Sequence, residues 1–419
     1  MGFPKGRRRL VMAVAALLAV AVVAVVVHRV LAPAEVSTVA RGDYPAAPRP
    51  EPGVIGRLPA APLIVDARLR VYAAHRQVYA DRPVDWRYRT TPFWSYRRWP
   101  AELSGVVASG RTVVSRWSDG RLVALDASSG RVLWRAAGPA PAEDDAVARR
   151  TGAATVWDPR GLYLTDLADG RTVLVVTGTT EARAVQVADG RELWRVDLPG
   201  SCRSDVGTSV AGQLIGLDTC AGPAAVEFRD AATGQVRERW QPPGVAADGL
   251  VVSPLGCRTG RSGCPAVRTA GPGDAGGRGW LVTGGEPVAA PALDLAGATV
   301  VGDQVVSVVD GVAVGRAARS GVELWRFGGL GAARVLAVQP GRVHVLTEAN
   351  ELVTLDPVNG AQLSRFTLNV GSDGTGWAPG AVAATDGYLA VERLRKPVDP
   401  DADDQSYYFT AEAVILAAT

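Results

Sequence analysis

The chain has 419 residues, 47% hydrophobic and 21% charged, a balance that excludes collagen, coiled coil and a globally disordered chain. Its 48 Gly and 28 Pro beside 6% aromatics point to many turns and few long helices. The net charge of +3 is concentrated at the N-terminus in Lys5, Arg7, Arg8, Arg9 and Arg29; the remaining 40 basic and 42 acidic residues leave a body of −2, which is no nucleic-acid-binding surface.

In chain order, residues 1–9 read as a short cytoplasmic tail and residues 10–31 as a transmembrane signal-anchor helix. Leu10 to Val27 is an uncharged apolar run of 18 residues, close to the ~20 that cross a hydrocarbon core. A secretory signal has a shorter apolar stretch, about 7–15 residues. The competing reading is a cleaved signal peptide with Ala32-Pro33-Ala34 as its processing site. The basic cluster before the run places the N-terminus in the cytoplasm and the rest outside. Residues 32–83 read as a Pro-rich stalk and linker, with Pro33, Pro45, Pro48, Pro50, Pro52, Pro59 and Pro62 favouring an extended spacer.

Residues 84–419 read as a repeat. Asp126-Ala-Ser-Ser-Gly130-Arg-Val-Leu-Trp134 returns as Asp189-Gly-Arg-Glu-Leu-Trp194. Asp230-Ala-Ala-Thr-Gly234 leads to Trp240, Arg319-Ser-Gly to Trp325, and Asp356-Pro-Val-Asn-Gly360 to Phe366; weaker copies surround Trp86 and Trp280. Aromatic residues at 86, 134, 194, 240, 280, 325 and 366 recur at roughly the 40–50-residue period of propeller blades. The copy at 103–136 resolves into strands 103–107, 111–116, 121–125 and 131–136, divided by Ser109-Gly110, Asp119-Gly120 and Ser129-Gly130 turns. The last copy shows only three strands, near 380–384, 388–393 and 408–416. Asp85–Arg89 is therefore expected to close the ring as their fourth strand, removing open edges. The expected fold is all-β, a seven-bladed β-propeller behind one N-terminal transmembrane helix.

The residues Asp119-Gly-Arg-Leu-Val-Ala-Leu-Asp-Ala-Ser-Ser-Gly-Arg-Val-Leu-Trp134, and Asn350 to Phe366, resemble the PQQ-binding-like β-propeller repeats. Two or three copies are strong, and Gly256–Gly279 departs from the pattern. The resemblance implies a propeller over 84–419. It spans quinoprotein dehydrogenases and non-catalytic propellers such as the lipoprotein of outer-membrane assembly, so fold alone does not decide function. The dehydrogenases are typically eight-bladed and hold their quinone near adjacent cysteines and a calcium ion. This chain has no Cys-Cys pair and no recognisable calcium set, so the non-catalytic branch is expected, with no catalytic residue, cofactor or metal.

Four cysteines, Cys202, Cys220, Cys257 and Cys264, show no C-x-x-C spacing and so argue against zinc or thioredoxin chemistry. An oxidising exterior would keep disulfides. Sequential pairing joins Cys202 to Cys220 and Cys257 to Cys264, and two other connectivities are open. His344 alternates with Val343 and Val345 and reads as a core histidine. Asp399-Pro-Asp-Ala-Asp403-Asp404 lacks the glycine of a calcium loop and reads as an exposed acidic turn. Trp94, Tyr96, Arg97 and Trp99 combine the residue types of interface hot spots and are the candidate interaction residues; the alternative is that this connector packs beneath the ring. The functional expectation is a non-enzymatic scaffold or accessory protein, held at the cell membrane by residues 10–31, with an extracytoplasmic propeller and an envelope protein partner. The alternative is a quinoprotein-type oxidoreductase or another ligand-binding propeller enzyme.

Overall fold

The computed structural model describes residues 12–21, 23, 34–142, 151–198, 200–220, 222–274, 276–369, 376–396 and 412–419. Among these, eight antiparallel sheets stand in a ring, and the chain is an eight-bladed propeller. Strands are lettered a to d from the channel outward. Blade 2 shows the standard unit: Leu103–Ser109, Thr112–Trp117, Leu122–Asp126 and Val132–Ala136. Its b and c strands, TVVSRW and LVALD, are buried along most of their length, as befits strands covered on both faces by neighbouring blades. The first strands of blades 1 to 5, and those of blades 6 to 8, touch their neighbours around the channel.

The D-x-x-S-G motif has a specific role. The Asp126 carboxylate accepts hydrogen bonds from the Ser128 and Ser129 hydroxyls at 2.6 and 2.7 Å, and Gly130 N–H donates to the Asp126 carbonyl at 2.7 Å. Gly130 adopts φ 70°, a left-handed conformation that glycine takes without strain. The missing side chain matters as well. A Cβ at Gly130 would come within 2.5 Å of the Trp94 Cβ, so the indole of the preceding blade lies flat on this turn. The Trp94 indole N–H then donates to the Ala127 carbonyl at 2.7 Å. The same joint recurs with Trp134 on Gly190, Trp194 on Gly234 and Trp325 on Gly360, each indole bonded to a carbonyl of that next turn. Each tryptophan thus serves the glycine of the following repeat, and the apolar core is divided among the blade interfaces.

Several expectations are corrected. The blade number is eight, not seven. The uncounted unit is blade 1: Leu63–Val65, Leu69–Ala74, Gln77–Asp81 and Trp94–Arg98, with Glu35–Thr38 added outside the d strand. Its first three strands fall in the segment read as linker. A long connection over 82–93 replaces the D-x-x-x-G turn, so the repeat signal is lost there. Trp86 is not its docking tryptophan; Trp94 is. Trp280 is no d-strand residue either. It lies on the c strand Arg278–Leu281 of blade 5, edge-on to Trp240 at 4.9 Å.

The closing strand is Gly53–Leu58, not Asp85–Arg89. It pairs with Val414–Ala418 as the d strand of blade 8, outside Tyr388–Leu394 and Ala378–Thr385. The strand is GVIGRL, with no aromatic to mark it. Asp85–Arg89 lies against it: a Cβ at Gly56 would fall 2.2 Å from the Arg87 carbonyl oxygen. The largest cluster of buried apolar residues joins blades 8, 1 and 2 across this closure, with Leu58, Val71, Tyr96, Trp117 and Val414 among its members.

Of the expected membrane span, residues 12–21 and 23 are helical, and the remainder lies outside the described residues. Among the described residues no helix is long and apolar enough to cross a membrane.

Candidate functional site

The inner strands enclose a channel that the chain partly fills with two of its own segments. One is the connection from blade 2 to blade 3, including the short helix Ala153–Val156. Ala61 N–H donates to the Thr151 carbonyl at 2.9 Å, and the Trp157 indole donates to the Pro62 carbonyl at 2.8 Å. The Thr151 hydroxyl is bonded to the buried Glu392 carboxylate. The second is the blade 5 loop closed by the Cys257–Cys264 disulfide. It crosses the first strands of blades 4 and 3: Thr208 N–H donates to the Arg261 carbonyl, and Leu164 N–H to the Ser262 hydroxyl, each at 2.9 Å.

A cavity of about 1090 Å³ runs along the inner strands of blades 5 to 8. One wall is aliphatic, with Val252, Val335, Val338 and Val382; the other is the plug, with Asp158, Arg160, Arg258 and Arg261. These cations are engaged: Arg258 pairs with Asp166 at 2.7 Å and Arg261 with Asp158 at 3.2 Å. Among the described residues this lining shows no ligand set for a metal-bound quinone. The nearby ring, Trp157, is buried and bonded through its edge, and no group of three metal-ligating side chains occurs among the described residues.

A different surface stands out on blade 1. Arg70 and Asp81, both fully buried, form a bidentate pair at 2.7 and 2.8 Å. The remaining capacity of this pair holds the 82–93 loop. Arg70 Nη1 donates to the Trp86 carbonyl at 2.6 Å and Nη2 to the Tyr88 carbonyl at 2.8 Å, while Thr90 N–H donates to Asp81 Oδ2 at 2.9 Å. Arg82 stacks 4.2 Å from the Phe93 ring centre and donates to the Asp43 carbonyl. The loop backbone is tied inward, yet Trp86 and Tyr88 are 53% and 57% exposed, flanked by exposed Arg87 and Arg89.

Of the four candidate interaction residues, Trp94 and Tyr96 are fully buried between blades. Arg97 and Trp99 are on the surface, at the end of the strand remote from the 82–93 loop. Two disulfides join Cys202 to Cys220 and Cys257 to Cys264. His344 is buried, its ring nitrogens 2.8 Å from Gln339 Nε2 and 3.1 Å from the Thr354 hydroxyl. Burial, helped by Arg342, lowers its pKa to about 3. The acidic run 399–404 lies outside the described residues. The 82–93 loop was hidden from sequence reasoning because its anchor, Arg70 with Asp81, spans two strands that carry no repeat motif.

No protein-family model matches the chain, and no curated protein matches it. Solved structures are similar to the chain at low identity. BamB from Moraxella catarrhalis is 14% identical over 86% of this chain and 95% of its own, with TM-score 0.43. The computationally designed Ika8 protein is 13% identical over 87% and 99%, TM-score 0.47. The quinohemoprotein alcohol dehydrogenase ADHIIG from Pseudomonas putida HK5 is 14% identical over 82% and 70%, TM-score 0.39.

Proposed function

We propose that this chain is a binding protein: an extracytoplasmic propeller, anchored by residues 10–31, that serves as a scaffold or accessory protein at the cell envelope. The observation that carries the reading is the 82–93 loop. Aromatic and arginine side chains dominate protein interfaces, and a loop already fixed in place loses little conformational freedom on binding. Trp86, Arg87, Tyr88 and Arg89 supply the side chains, and the Arg70–Asp81 pair supplies the fixed backbone. The two disulfides support an oxidising compartment, and the apolar run Leu10–Val27 after a basic cluster supports the anchor.

Blade number does not separate this chain from quinoprotein dehydrogenases, since the ring has eight blades. What supports the non-enzymatic reading instead is the channel, where plug segments with carboxylate-paired arginines form one wall of the cavity. The test is a photoreactive residue placed at position 86 or 88 of the full chain in its own envelope. One discrete partner, crosslinked at both positions and absent with the label at Val358, is the expected result. Crosslinks no more specific than those from Val358 would refute the loop as the binding surface.

A further inference from the structure

The Pro-rich segment after the apolar run is not a spacer. Ala34 is already fixed to the propeller, its carbonyl accepting a hydrogen bond from Trp99 N–H at 2.8 Å. Glu35–Thr38 then pairs along Trp94–Arg98, in the register Glu35 with Arg98 to Thr38 with Ser95. Glu35 is pinned by Arg98 at 3.3 Å and Arg135 at 2.8 Å. From Leu31, the last residue of the expected span, to Ala34 is three residues, a reach of about 11 Å when fully extended. A propeller tied this closely to a membrane helix lies against the bilayer, and the corner that touches it is the one beside Ala34.

That corner has the chemistry of an interfacial surface. Trp99 is 52% exposed beside Ala34, and tryptophan favours the headgroup region of a bilayer. Arg97 is exposed and has no ion-pair partner among the described residues. The turn 118–121 adjoins it, since Ser118 N–H donates to the Glu102 carbonyl and Arg98 binds Asp119; Arg121 on that turn is exposed. The neighbouring acids are engaged: Asp119 by Arg98, and Glu102 by His75 and Arg76. The free charge of the corner is therefore positive, and anionic headgroups would attract it within a Debye length.

We propose that the blade 1 corner bearing Trp99, Arg97 and Arg121 rests on the anionic headgroups of the bilayer that residues 10–31 span, an inference that depends on the anchor reading above. The 82–93 loop then faces away from the membrane, because it joins the c and d strands at the opposite end from Trp99. The same placement leaves the loop open to an envelope partner.

The test uses the full chain in lipid nanodiscs of phosphatidylglycerol and phosphatidylcholine. All four native cysteines are in disulfides, so a thiol introduced by Arg121→Cys or Val358→Cys takes a fluorophore alone. Headgroup-spin-labelled lipid should quench the probe at 121. It should leave the probe at 358, on the c–d turn of blade 7, at its lipid-free intensity. Trp99→Ala with Arg97→Glu should reduce the quenching at 121. Equal signals at both sites, in protein that resists carbonate extraction from membranes, would overturn the docking surface while leaving the anchor standing. Release by carbonate would overturn the anchor, and the docking surface with it.

Discussion

Arg70 and Asp81 face each other across two strands of blade 1, fully buried, and between them fix the Trp86 and Tyr88 carbonyls and the Thr90 amide. A buried ion pair is seldom the most stable choice for its volume. Here its spare donors and acceptor set the shape of a surface loop.

Removing one partner should therefore be costly. Arg70→Ala leaves the Asp81 carboxylate buried without its partner and should destabilise the protein by about 3–5 kcal/mol. The double variant Arg70→Met, Asp81→Leu should recover much of that stability, because no charge is stranded. It should still fail to order the loop. Thermal melting together with hydrogen exchange at Trp86–Thr90 checks this: recovered melting with fast exchange is expected, and slow exchange would show that the loop holds itself.

The two tryptophans near the start of the ring should behave oppositely. Trp94→Ala opens a cavity at the joint with Gly130 and should cost about 3–5 kcal/mol. Trp86→Ala changes an exposed side chain and should alter stability by no more than about 0.5 kcal/mol. Gly130→Ala should also destabilise, through its positive φ and its contact with Trp94. Denaturant titration of the three variants measures the order directly.

Most of the blades were legible because their motif is local. Asp126 to Trp134 contains the turn, the glycine and the aromatic in nine residues, and strands expected at 121–125 and 131–136 are found at Leu122–Asp126 and Val132–Ala136. What was lost lacks that local mark. Gly53–Leu58 is recognised only by its partner Val414–Ala418, 365 residues away at the Gly53–Ala418 pair, and nothing in its own six residues names that partner. The Arg70–Asp81 clasp is a relationship between strands, and its loop has no fixed spacing. The outward Trp86 and the docked Trp94 are the same residue type eight positions apart, and only their surroundings separate them.

Closure by Gly53–Leu58 makes its own prediction. A chain beginning at residue 60 exposes the edge of Val414–Ala418, and an unpaired edge invites association. It should aggregate or lose its cooperative melt. Gly56→Val should mimic the defect in milder form, since the new side chain meets the Arg87 carbonyl. Static light scattering beside calorimetry tests both; a monomeric, cooperatively melting chain without residues 53–58 would show that the ring closes by another strand.

His344 should make the fold acid-sensitive. Gln339 Nε2 donates to one ring nitrogen and the other donates to the Thr354 hydroxyl, the tautomer this network assigns. Protonation would set two donors against each other in a buried site. The folded pKa, about 3, lies below the ordinary 6.5, so the unfolded chain binds the proton first as pH falls. Stability from this site is whole above pH 6.5 and is lost progressively from there toward pH 3, by up to about 1.4 kcal/mol per pH unit. His344→Gln should flatten that part of the stability profile. An unchanged slope between pH 6 and 4 would assign the acid response to other groups.

The most direct measurement of the central claim is the affinity of the 82–93 loop for the partner that crosslinks to it. With that partner purified, Trp86→Ala with Tyr88→Ala should weaken binding by at least about tenfold, as loss of hot-spot side chains does, with the melting temperature unchanged. Unchanged affinity of this double variant, in a protein that folds normally, would contradict the account.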